Sequence, residues 1–108
     1  MIIDATLGAL VVQSPLNFSG SGDVVVVPGL VGKLTKVIQL ILVVGGPTTL
    51  TFKCDSGVIS GPMPMLSNGS MVIDYIQVPI TCYNPGESFI INNSGGVSIG
   101  GIIWYIRI

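Results

Sequence analysis

The chain has 108 residues, a net charge of −1, 49% hydrophobic residues and only 8% charged ones. Average globular chains carry about 25% charged residues, so a free monomer of this composition would be poorly protected against association. The chain lacks histidine, which removes Ser-His-Asp and Cys-His catalysis, and its four basic residues form no cluster able to make the several phosphate contacts of nucleic-acid binding.

Glycine and proline punctuate the chain at the spacing expected of a β-sandwich or barrel, and no stretch has helical periodicity. "GALVVQSP" predicts a first strand that stops at Pro15, and "LNFSGSG" a Gly/Ser loop. "DVVVVP" is a short β-branched strand closed by Pro28-Gly29. "KLTKVIQLILVVGG" is the longest strand candidate, apolar on both faces, as suits a central strand covered on both sides. "TTLTFKC" alternates, with Leu50, Phe52 and Cys54 on one face and Thr49, Thr51 and Lys53 on the other. "SMVIDY", "ITCY" and "ESFIINN" follow, each bounded by Asn, Gly or Pro. The last strand, "VSIGGIIWYIRI", sets Ile102, Trp104, Ile106 and Ile108 on one face and Ile103, Tyr105 and Arg107 on the other.

About eight strands without intervening helices predict an all-β domain spanning residues 1–108, because parallel crossovers need longer connections. The expected architecture is an antiparallel β-sandwich of jelly-roll type, two sheets of about four strands each. An immunoglobulin-like sandwich is second, since Trp104 follows both cysteines instead of lying between them. For 11.2 kDa the expected folded surface is roughly 5,700 Å². Mean hydropathy is +0.83, yet the longest charge-free apolar run, "VIQLILVVGG", is shorter than the roughly 20 residues of a membrane helix. The N-terminus has no basic region ahead of its apolar residues, so a product made and kept in the cytosol is expected. Cys54 and Cys82 are then expected as free, buried thiols, with a disulfide between them as the alternative.

Nothing in the sequence assembles a reaction, and no enzyme activity or cofactor is expected. Asp55 and Asp74 stand at strand ends, where they read as turn caps. A glycosidase pair of Asp74 with Glu87 lacks accompanying cleft aromatics. "NNSGGVSIGG" precedes a strand and not a helix, so it reads as turns and bulges, not as a phosphate loop.

The order "GKLTKVIQLILVVGGPTTLTFKCDSGVISGPMPMLSNGSMVIDY" followed by "ITCYNPGESFIINNSGGVSIGGIIWYIRI" resembles small structural proteins of tailed bacteriophages. The resemblance runs from about Gly32 to the end and lies in pattern and order more than in signature residues. It implies a non-enzymatic capsid decoration or cement protein, a homotrimeric jelly roll that binds the major capsid protein or other virion subunits. The alternative it implies is a receptor- or carbohydrate-binding module of a tail or head fibre. The location implied is the virion, after synthesis in the host cytoplasm. Residues 1–31 fall outside the resemblance and are allowed as including a docking arm. Pro62 and Pro64 predict "GPMPM" as an extended ridge outside the sheet, with Pro62, Met63, Pro64 and Met65 as candidate contact residues. The competing expectation is a loop whose methionines plug one end of the sandwich.

Overall fold

Apolar residues at every second position, many of them β-branched, favour pleated strands with one buried face. The computed structural model describes residues 2–4, 9–74 and 79–108. Strands there are β1 (Ile2–Asp4), β2 (Ala9–Phe18), β3 (Gly22–Val27), β4 (Thr35–Val44), β5 (Thr48–Cys54), β6 (Gly57–Val58), β7 (Met63–Met65), β8 (Ser70–Ile73), β9 (Ile80–Thr81), β10 (Phe89–Asn93) and β11 (Ile99–Arg107). The larger sheet runs β1-β2-β11-β4-β8, with β9 also on β4; the smaller runs β3-β10-β5-β6, with β7 also on β5. Every pairing is antiparallel. The pairings are nested: β2 lies beside β11, β3 beside β10, β4 beside β8 and β9, and β5 beside β6 and β7. The result is the expected all-β, two-sheet sandwich.

The core lies between the sheets. Leu40, Leu42, Val44, Ile103 and Tyr105 from the larger sheet meet Leu50, Phe52, Phe89 and Ile91 from the smaller. Phe52 and Phe89 pack edge to face with centroids 5.3 Å apart. The alternation expected for "TTLTFKC" holds, with Leu50, Phe52 and Cys54 buried. So does the division of the last strand, with Ile103 and Tyr105 in the core and Trp104 and Ile106 in a separate cluster. "KLTKVIQLILVVGG" is central, with β11 on one side and β8 and β9 on the other. The surface of 5663 Å² matches the size expected of one folded domain.

Four local expectations change. The first strand does not stop at Pro15 but continues to Phe18. Among the described residues β2 pairs beyond β1 with β11 alone, an edge setting of the kind that tolerates proline. The stretch before Gly32 is built into both sheets, because β2 pairs with β11 and β3 with β10. "GPMPM" is not outside the sheet. Met63–Met65 is an edge strand on β5, with Leu50 opposite Met63, Thr49 opposite Pro64 and Thr48 opposite Met65. An edge strand bonds on one flank only, which is the setting that tolerates proline. Finally, Cys54 and Cys82 are not free thiols. They form a disulfide with Cα atoms 5.8 Å apart, a span a bridge requires and a sequence separation of 28 does not disclose. The bridge ties the end of β5, in the smaller sheet, to the segment after β9, in the larger.

Two glycines are demanded by geometry. Gly101 has φ 150°, and a Cβ there would collide with the carbonyl oxygen of Ile41 on β4. A Cβ on Gly29 would meet the carbonyl of Gly86. The buried Asn93 side chain is satisfied at both of its polar atoms. Asn93 is fully buried, accepts a bond from Thr48 Oγ1 at 2.7 Å and donates to the Val97 carbonyl at 2.8 Å.

Under non-reducing denaturation no thiol should titrate, and reduction should release both. The double variant Cys54→Ala/Cys82→Ala should lose about 3–4 kcal/mol by urea unfolding, the loop-entropy value for a closed loop of this length. Gly101→Ala should lower stability by about 2 kcal/mol or more in the same assay, because backbone on both strands must move.

Candidate functional site

Two acidic residues, Asp55 and Glu87, are used to hold backbone segments together. Asp55 Oδ2 accepts a hydrogen bond from the Ser88 amide at 3.0 Å, and Glu87 Oε1 accepts one from the Ser56 amide at 2.6 Å. The two carboxylates thereby clamp the turn after β5 onto the segment leading into β10, beside the disulfide. Glu87 is 9% exposed, and its Oε2 has no partner among the described residues. Its backbone carbonyl accepts from Thr35 Oγ1 at 3.0 Å. Asp74 follows β8 in the larger sheet, whereas Glu87 precedes β10 in the smaller, so the pair belongs to different sheets. Among the described residues no group of three or more His, Cys, Asp or Glu converges as a metal site would require. Asp55 does bond a backbone amide, but that of Ser88, 33 residues away, and not one within its own turn as expected.

The outer face of the smaller sheet is mixed, with Val25, Ile90, Lys53 and Val58 in one row and a polar row beside it. Lys53 Nζ lies 2.8 Å from Asp23 Oδ2, and Asn92 Nδ2 donates to Asp23 Oδ1 at 2.7 Å. The register places Asp23 opposite Asn92 and Asn92 opposite Thr51, one polar row across three strands. The hydrogen bond from Asn92, then that from Lys53, hold the Asp23 carboxyl below its ordinary value.

The outer face of the larger sheet is different. Pro15, Ile102, Ile41 and Val72 stand opposite one another across β2, β11, β4 and β8. One row along, Asn17, Gly100, Val43 and Ser70 do the same. On the other side lie Gln13, Trp104 and Gln39. None of these residues is charged. Val72 is 58% exposed and Val43 46%. Trp104 donates its Nε1–H to Gln13 Oε1 at 3.0 Å, which satisfies its polar edge within the sheet. Beyond it Val11, Ile38 and Ile106 form a second apolar cluster against which Trp104 packs. Lys36, opposite Ile106, is the charged residue at that end.

The four candidate contact residues divide by role. Met63 and Met65 are half-buried and pack against the main core, while Pro62 and Pro64 are exposed along the edge of the smaller sheet. Sequence reasoning missed the uncharged outer rows. The alternation in "VSIGGIIWYIRI" separated two faces, but which face met the core depended on pairings far away in sequence. No protein family, no curated protein and no solved structure matches the chain.

Because the folded-state value of Asp23 is lowered, its ionised form favours the fold above the ordinary carboxylate range. That contribution is lost as pH falls through the lowered value. Between about pH 5 and pH 2.5, Asp23→Asn should therefore lose less stability than the wild type, read as the shift in urea midpoint.

Proposed function

We propose that this chain is a non-enzymatic structural subunit of a bacteriophage virion, a capsid decoration or cement protein that binds copies of itself and the shell. The observation that carries this reading is where the charge goes. Asp23 and Lys53 pair with each other, Asp55 and Glu87 cap backbone amides, and Arg107 donates to the Pro28 carbonyl. That engages five of the nine charged side chains within the fold, while the larger sheet offers uncharged outer rows. The nested strand order supports the jelly-roll arrangement, in which a long antiparallel hairpin is wrapped into two sheets. The motif order of the tailed-phage resemblance supplies the virion context. Disulfides persist on virion surfaces, so a chain made in the host cytoplasm would close Cys54–Cys82 after release.

Attachment to the major capsid protein is then apolar burial and backbone pairing, with the exposed Pro62–Pro64 edge as its candidate contact. Each buried 100 Å² of apolar surface contributes about 2.5 kcal/mol before association costs, whereas an exposed ion pair adds about 0–1 kcal/mol. The fibre-module alternative rests on one observation, Tyr83, which is 77% exposed in the loop after β9. Phe52, Phe89 and Tyr105 are buried in the core and Trp104 lies against its own cluster, so that tyrosine has no described aromatic companion for stacking a sugar.

On particles that carry this chain, it should stay bound through a wash in about 1 M sodium chloride, where the Debye length is only about 3 Å. Release by salt alone would overturn the apolar mechanism. Finding the chain absent from purified virions by mass spectrometry would overturn the virion assignment.

A further inference from the structure

We propose that the outer face of the larger sheet is the surface on which a second copy of this chain packs, face to face. The inference deepens the reading of the chain as a self-associating subunit and rests on it. The face is built like an interior layer. Pro15, Ile102, Ile41 and Val72 run across four strands in register, with Val43 in the next row and no charge in either row. Gly100 opens that second row between Asn17 and Val43, so a facing side chain can reach the sheet.

Three observations select a second copy as the occupant. The first is charge. A partner with an ordinary surface would set charged side chains against these rows and leave them unpaired, which is costly when water is excluded. This chain is itself 8% charged and supplies an equally uncharged face. The second is the contrast between the two outer faces. The smaller sheet also exposes Val25 and Val58 but sets the charged Asp23–Lys53–Asn92 network among them, and the larger sheet carries no charged network across these rows. The third is area. Strands β2, β11, β4 and β8 hold 10, 9, 10 and 4 residues, which at ~4.8 Å between strands and ~3.4 Å per residue present roughly 540 Å² in projection. Two such faces bring about 1,100 Å² together, above the roughly 1,000 Å² that a specific interface should clear. Two twisted sheets can pack face to face at about 10 Å and a small angle. A two-fold axis between the sheets then pairs each row with its own copy.

The test is sedimentation equilibrium of the wild type, Val72→Arg, Ile41→Arg and the polar-face control Thr51→Arg, at micromolar concentration. The wild type and Thr51→Arg should sediment at twice the 11.2 kDa chain mass. Val72→Arg should weaken the dimer about 100-fold while far-UV circular dichroism stays that of the folded wild type. Ile41→Arg should do the same; if it fails to fold, Val72→Arg, at a site already 58% exposed, still decides. A monomeric wild type would overturn self-association itself. An assembled wild type that both folded variants leave intact would overturn the assignment of this face. If the variants instead keep their assembly and lose binding to purified particles, the face holds the shell and not a second copy, which overturns the proposal as well.

Discussion

Strands β4 and β11 pair over nine registered positions, from Ile99 opposite Val44 to Arg107 opposite Thr35. This antiparallel contact joins the middle of the chain to its end, and the other pairings are arranged around it. With β4 taken on one side, β11 has its other edge free for β2, and β4 has its other edge free for β8 and β9. The inward residues of this ladder, Val37, Leu40, Leu42, Val44, Ile99, Ile103 and Tyr105, form most of the larger sheet's share of the core. The close approach of the two backbones also explains Gly101, since any side chain there would occupy the space of the Ile41 carbonyl.

The same ladder sets the character of the surface. Once Ile103 and Tyr105 face the core, Ile102 and Trp104 must face outward, because successive side chains on a strand point to opposite sides. Ile41 and Val43 are turned outward for the same reason as Leu40 and Leu42 are turned in. A strand apolar on both faces is therefore useful only when both faces are covered. One is covered by the smaller sheet; along its open rows the other lacks an intramolecular cover among the described residues. The bulge at Trp104/Tyr105 shifts the register, so Val37 joins the core while Ile38 joins Val11 and Ile106 outside it.

Polar groups in this molecule serve the fold before they serve any ligand. The Asp55 and Glu87 carboxylates hold the turn after β5, Asn93 and Thr48 bind each other inside the sandwich, and Ser60 Oγ accepts from the Phe52 amide at 2.8 Å. The Cys54–Cys82 bridge adds a covalent tie between the sheets close to the Asp55–Ser56 turn. One end of the sandwich is thus fastened by a disulfide, two carboxylate caps and the Thr35–Glu87 bond.

The sequence alone determined the fold class, the strand identity of "DVVVV", "TTLTFKC" and "ESFIINN", the central place of the β4 segment and the two faces of the last strand. Those features follow from local periodicity and turn chemistry, which each segment carries within itself. Asn68, at φ 61° in the "SNG" turn, is of the same kind, since asparagine tolerates that conformation locally. Tertiary structure decided the rest. Whether Pro15 ends a strand depends on whether a neighbour needs its N–H. Whether "MPM" is a ridge or an edge strand depends on the free edge of β5. Whether Cys54 and Cys82 bond depends on a 5.8 Å approach created by the packing of two sheets. The uncharged rows of the larger sheet exist only because β2, β11, β4 and β8, separated along the chain, are set side by side in one register.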